Sequence, residues 1–145
     1  EQLYTFSRIN RDPRGRVVSV AYMALVSLDA AIAKSKDAKW FPVSALPKLA
    51  YDHKEIIATA IERLKGKLGY TNIAYSLVPE EFTFPDLQRV YEVILGRRLD
   101  KRNFRKKVGE LDLLQKIGKK RRGGRNRPAE LYRFKERVPK VVEVL

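Results

Sequence analysis

The 145-residue chain has no cysteine, one histidine, one tryptophan and one methionine, and it is short of acids, with 17 Asp/Glu against 31 Lys/Arg. Without cysteine there is no disulfide framework and no cysteine-based zinc finger, and the composition suits a reducing compartment. The lone histidine, His53, cannot build a metal site without a cysteine or a second histidine. It follows a candidate cap, Asp52, and is read as opening a helix. No apolar run approaches the ~20 residues of a membrane span. No basic segment followed by an apolar one marks a secretory signal at the N-terminus. Ser7, Ser19 and Ser27 lack a histidine partner, and there is no Gly-x-Ser-x-Gly elbow. No internal repeat is present, and no pattern calls for a metal or a cofactor.

What is present suits a folded, basic protein. Hydrophobic residues make up 44% of the chain and aromatics 10%, enough for a packed core and too much for a disordered basic tail. The length fits one ordinary domain or two small ones. The charge is focused. Residues 97–127, RRLDKRNFRKKVGELDLLQKIGKKRRGGRNR, hold fourteen Lys/Arg against Asp100, Glu110 and Asp112, a local +11 within a total of +14. Focused basicity is the electrostatic footprint expected for a polyanion partner.

Residues 3–9 and 16–28, rich in β-branched and aromatic side chains around the turn Asn10 to Gly15, predict a long hairpin. Trp40-Phe41-Pro42-Val43 reads as a short strand or strand end, with Trp40 and Phe41 in the core; stacking on a ligand is the alternative. A helix is expected over about 52–66, capped by Asp52 with Glu55 three residues on and ended by Gly66 or Gly69. These elements are too few for a complete α/β sandwich, so residues 1–78 look like part of a domain. Glu1 is not a natural start, and residues are expected to precede it. The composition shifts near Val78 to Phe82. Thr83 and Asp86 then form a second capping pattern with Pro85 in the first turn. Leu87, Val90, Tyr91, Ile94 and Leu95 make a helical stripe that Gly96 stops. Asp100 can cap the next helix, giving a helix-turn-helix.

In a projection of about 100° per residue, Phe104, Val108 and Leu111 share one face of that second helix. Arg102, Arg105 and Lys106 point the other way, where a helix in a major groove meets base edges and arginine reads guanine. Lys101 and Lys107 project sideways towards phosphates, and Asn103 is oblique. A solvated charged face is the alternative. Downstream, two strands flank KKRRGGRNR, with Gly123-Gly124 as the turn. This crowds Lys119, Lys120, Arg121, Arg122, Arg125 and Arg127 at a tip able to meet phosphates or a minor groove. A disordered basic loop or a nuclear-type signal is the alternative there. Thr83 joins these cations as a candidate DNA contact. Arg11, Arg14 and Arg16 in the first turn are candidates for an anionic effector; an ordinary exposed turn is the other reading.

Four blocks carry a resemblance: RDPRGRVVSVAYMALV, WFPVSALPKLAYDHKEII, EEFTFPDLQRVYEVILGRRLDKRNFRKKV and RRGGRNRPAELYRF. Together they resemble the Nudix-related transcriptional regulator family, over nearly the whole chain. The resemblance implies an α+β protein: a partial Nudix-like α/β sandwich (1–78, the C-terminal part of an effector domain), then a winged helix-turn-helix domain (79–145). It further implies a bacterial, cytoplasmic repressor that acts as a homodimer on palindromic operator DNA and senses an ADP-ribose-like nucleotide or a sugar. One departure is plain. The Nudix signature, whose carboxylates hold Mg²⁺ and activate water, occurs nowhere in residues 1–145. In the family it would precede the strand that begins at Gln2. Hydrolysis of ADP-ribose-like diphosphates is therefore the alternative function, and would need that signature upstream. An RNA-binding module is a third, disfavoured because no exposed aromatic platform for single-stranded bases is evident.

Overall fold

The computed structural model describes residues 1–26, 39–121 and 128–145, which pack as two compact units. Of the described residues, the first unit holds 1–24 and 39–63, and the second holds 25–26, 64–121 and 128–145.

In the first unit β1 (Gln2–Phe6) pairs antiparallel with β2 (Ser19–Tyr22), the expected hairpin but with shorter strands than the expected 3–9 and 16–28. Gln2 faces Tyr22 and Tyr4 faces Ala21, so Leu3 is an extra residue in the ladder. This bulge breaks the two-residue period, and Leu3 and Phe6, three apart, are both buried. The turn that follows is held by charge. Arg11 forks onto Asp52, with Nε to Oδ2 at 2.7 Å and Nη2 to Oδ1 at 2.8 Å, and its Nη1 donates to Ser19 Oγ. The Arg11 side chain is only 5% exposed. Beside it Asp12 accepts from the Arg14 backbone N–H at 2.9 Å and from Arg14 Nη2 at 2.8 Å. The Arg14 side chain, then its backbone N–H, hold the Asp12 carboxyl at about 2 despite desolvation.

Three expectations fail here. Asp52 and Glu55 were expected to close a capping box on α1 (His53–Tyr70). Their carboxylates instead take Arg11 and Arg8, the latter at 2.8 Å, because charge-assisted bonds are stronger than a neutral amide's. The helix also runs through Gly66 and Gly69. Interior glycine costs about 1 kcal/mol against alanine, but the last turns carry Leu68, which is fully buried. Trp40-Phe41-Pro42-Val43 is no strand: Val43–Ala45 is a 3-10 turn after Pro42, and Trp40 and Phe41 are 72% and 47% exposed rather than core.

The second unit begins with the end of α1. Its closing turns receive the C-terminal segment: Val144 N–H donates to Gly69 O and Val142 N–H to Tyr70 O, both at 2.9 Å. Buried Asn72 clamps the same segment, donating to Val138 O and accepting from the Lys140 N–H. Then come β3 (Phe82–Thr83), α2 (Phe84–Leu95), α3 (Lys101–Glu110), β4 (Leu114–Arg121) and β5 (Ala129–Phe134). The strands form an antiparallel sheet in the order β3-β5-β4. A helix-turn-helix followed by such a hairpin is the expected winged helix. Its core gathers Leu68, Phe82, Phe84, Leu87, Tyr91, Phe104, Val108 and Phe134.

Capping fixes where α2 and α3 begin. Thr83 Oγ1 accepts the Asp86 N–H, and Asp86 Oδ2 accepts the Thr83 N–H at 2.8 Å, a closed capping box. Gly96, at φ 67°, ends α2 in the left-handed conformation that glycine adopts freely. The turn to α3 is stapled by Glu92, which accepts from the Leu99 N–H at 2.9 Å and from Gln88 at 3.0 Å. Those two bonds draw its pKa below the ordinary value.

Two outcomes follow. Thr83→Ala should cost roughly 1 kcal/mol, within the 0.5–2 kcal/mol typical of a lost cap, read as a lower urea midpoint at unchanged m-value. In the first unit, a carboxyl whose folded pKa is depressed stabilises above its unfolded pKa and loses that stabilisation as pH falls through the folded one. The stability advantage of wild type over Asp12→Asn should therefore be constant above about pH 5 and shrink between about pH 4 and about pH 2. Urea titrations across that range would check it; an advantage unchanged at low pH would contradict the Asp12–Arg14 linkage.

Candidate nucleic-acid interface

Helix α3 owes its orientation to two side chains. Phe104 and Val108, four apart and 4% and 3% exposed, pack inward, Phe104 edge-on to Tyr91 (centroids 5.0 Å apart) and to Phe84 (5.8 Å). Asp100 caps the helix by accepting the Asn103 N–H at 2.8 Å. The opposite side is thereby turned to solvent, with Arg102 and Lys106 exposed on it as the projection predicts; Arg105 is exposed too, but towards one flank rather than opposite the core. Lys101 and Asn103 are exposed too, while Lys107 is half-buried. Asn103 and Lys107 flank a hollow beside Phe104, Val144 and Leu145, which puts them on the side facing the C-terminal segment. On the other flank, Arg105 and Val108 line a hollow with Phe84, Leu114, Lys116 and Tyr132. The Arg105 guanidinium lies over the Phe84 ring, its Cζ 4.9 Å from the centroid.

The wing departs from expectation. Lys119, Lys120 and Arg121 do not crowd a tip: β4 runs through them, and each meets an acid. Lys119 Nζ lies 3.1 Å from Glu81, Lys120 Nζ 3.3 Å from Glu130, and Arg121 Nη2 2.7 Å from Asp86. The sequence shows the acids but not the register that sets them opposite. That register slips between Lys116 and Lys120, where Gly118 at φ 72° supports the bulge; Gly118 is inside the strand rather than at its end. The two lysine pairs are exposed, and such pairs contribute at most about 1 kcal/mol, so a phosphate can replace the carboxylate at little cost. Arg121 is held differently. It joins Asp86, which already accepts from the Thr83 N–H and hydroxyl. Desolvation pushes the Asp86 pKa up, but these Thr83 and Arg121 bonds outweigh it and the net shift is downward. Thr83 itself is 2% exposed, its hydroxyl engaged in the cap. Arg122, Arg125, Arg127 and the Gly123-Gly124 turn lie outside the described residues.

The candidate effector arginines sit together in the first turn, yet each has an internal partner. Arg11 is spent on Asp52 and Ser19, Arg14 on Asp12 and the Tyr51 ring (Cζ 4.9 Å from the centroid), and Arg16 on Ser7 O at 2.5 Å. The Asp52 hydrogen bond, foremost, raises the Arg11 pKa. His53 is the exposed first residue of α1, its ring 6.1 Å from Tyr51. The residues present do not fit the Mg²⁺ site of an active Nudix enzyme. Among the described residues no three His, Asp or Glu side chains are grouped to hold a metal, and Glu81 of the one adjacent acid pair faces Lys119. Among the described residues, too, no helix is long and apolar enough to cross a membrane.

Comparison with known proteins agrees with this geometry. Residues 74–134 match the NrtR DNA-binding winged helix domain. The ADPR responsive transcriptional repressor NtrR of Acinetobacter baylyi is 37% identical over 139 residues, covering 92% of this chain and 55% of that protein. The crystal structure of Shewanella oneidensis NrtR complexed with a 27mer DNA is 42% identical, with a TM-score of 0.81 over 93% of this chain and 64% of that one. A MutT/nudix family protein from Enterococcus faecalis is 26% identical, with a TM-score of 0.64, covering 94% and 61%. The chain thus spans less than two thirds of the length of these relatives. With a match to the NrtR winged helix at residues 74–134 and Nudix-fold likeness besides, the chain is similar to the Nudix-related transcriptional regulators.

Proposed function

We propose that this chain belongs to a transcriptional repressor that grips operator DNA through its winged helix. The observation that carries this reading is α3: an apolar face locked into the core, with Arg102, Arg105 and Lys106 presented to solvent away from it on the second helix of a helix-turn-helix. In that fold the second helix enters the major groove. Arg102 and Arg105 read base edges, and Lys101, Lys106 and Lys107 meet the flanking phosphates. Lys119 and Lys120 exchange their carboxylates for the backbone, with Arg122, Arg125 and Arg127 assigned to the same role. Asn103 takes an oblique contact. The protein works as a cytoplasmic homodimer on a palindromic site, and its effector is an ADP-ribose-like nucleotide, or else a sugar. The ADPR responsive repressor relative supports the nucleotide effector, and the DNA-bound relative supports a duplex partner. Functionally, residues 1–78 belong to the effector domain and 79–145 to the DNA-binding domain, although residues 64–78 share their core with the latter. Because Arg11, Arg14 and Arg16 are internally paired, effector binding through them would require one of those pairs to open.

The likeness to a MutT/nudix protein favours a second reading, hydrolysis of an ADP-ribose-like diphosphate. We read residues 1–145 as non-enzymatic, because the carboxylate signature is not among them.

Binding should depend steeply on salt. If about six phosphates are neutralised, affinity should fall roughly a thousandfold between about 50 and 200 mM salt, measured by fluorescence anisotropy; a flat response would remove the duplex partner. Selection from a random pool supplies the cognate duplex for a sharper comparison. Arg102→Ala should cost roughly tenfold or more on it, as a bidentate guanine contact discriminates by about 1–3 kcal/mol, and much less on random duplex. Equal losses on both would reduce Arg102 to a phosphate contact.

A further inference from the structure

The cations of this domain are held in two different ways. On β4, Lys119, Lys120 and Arg121 each face a carboxylate. Arg105 on α3 has no carboxylate partner among the described residues and lies instead over the Phe84 ring, its Cζ 4.9 Å from the centroid. The difference matters chemically. A carboxylate consumes the N–H edge of a guanidinium, whereas an aromatic face engages its flat side and leaves the donor edge free. The platform is rigid. Phe84 is 6% exposed and wedged edge-on between Phe104 and Tyr132, each 5.8 Å away. It is also the first residue of α2, directly after the Thr83 cap. Arg102 is exposed with no such ring beneath it among the described residues.

We propose that Phe84 is a positioning residue for base readout: its ring pre-orders the Arg105 guanidinium, so that less side-chain freedom is lost when Arg105 hydrogen-bonds a base edge. This rests on the reading of α3 as the recognition helix. Phe84 never touches DNA and acts through Arg105 alone. Its contribution is therefore to discrimination, and it vanishes when Arg105 is absent. The same stacking makes Arg105 the better-ordered of the two outward arginines, a fixed reader beside a mobile one.

A double-mutant cycle on the full chain tests this, with Phe84→Leu, Arg105→Ala and the double variant measured on the duplex selected from a random pool and on a random duplex of equal length. Phe84→Leu should weaken the selected duplex roughly two- to fivefold, the worth of an exposed cation–π contact, leave the random duplex unchanged, and add no loss in the Arg105→Ala background. The same loss with and without Arg105 would overturn the proposal and leave Phe84 a core residue only. If Arg105→Ala cost nothing on the selected duplex while Arg102→Ala did, α3 would remain the reader and only the Arg105 assignment would fall; if neither mattered, the recognition-helix reading itself would fail. A measurement on wild type covers the case in which Phe84→Leu unfolds. The Arg105 side-chain protons, assigned with Arg105→Lys, should be shifted upfield of those of Arg102 by the ring current, and coincident shifts would overturn the stacking.

Discussion

The packing of Phe104 against Phe84 and Tyr91 is the constraint on which the winged helix depends. These three rings lie edge-to-face, with centroids 5.0 to 5.8 Å apart, and edge-on contacts of this kind add about 0.5–1.5 kcal/mol beyond burial. They also set direction. A helix carrying five Lys/Arg in ten residues has little reason of its own to present any particular face. Once Phe104 and Val108 are seated, rotation about the helix axis is fixed, and so is the face that holds Arg102, Arg105 and Lys106. The charge is functional only because the apolar side leaves it nowhere else to point.

Acid placement does the complementary part. Glu81, Asp86 and Glu130 stand against the wing strand, whereas on α3 the one ion pair among the described residues is Lys106 with Glu110 at 3.9 Å, both exposed. A duplex meeting this surface finds α3 nearly uncompensated and β4 already neutralised by weak surface partners. Attraction to any polyanion is thus strongest along α3. The wing's lysines are held only by weak, exposed ion pairs.

What could be read from the sequence was whatever is decided locally. The Thr83–Asp86 capping box, the Asp100 cap, the Gly96 stop and the Phe104/Val108 stripe each need only a few neighbouring residues, and the helix-turn-helix followed from them. Most of the misses required partners distant in sequence. Asp52 and Glu55 fit a capping box until Arg11 and Arg8, more than 40 residues away, claim them. Gly66 and Gly69 look like stops until the C-terminal segment pairs with the turn they occupy. Arg11 reads as an exposed turn residue and is instead one of the few buried charges. The stacking of Arg105 on Phe84 joins two helices 21 positions apart, and no spacing rule announces it.

Asp86 shows how tightly the motif and the wing are joined. Its carboxylate accepts the Thr83 N–H and hydroxyl, which starts α2, and also Arg121 from β4, at 2.7 and 2.9 Å. One anion therefore caps a helix at its positive end, where a negative charge is favoured, and pins the strand that leads into the basic loop. Moving the wing away from the helix-turn-helix would break the Arg121 pair and leave a partly desolvated carboxylate to its cap alone. Removing the carboxylate would release strand and cap together. Arg121, which composition groups with the phosphate-seeking cations, is by geometry the residue that fixes where those cations are carried.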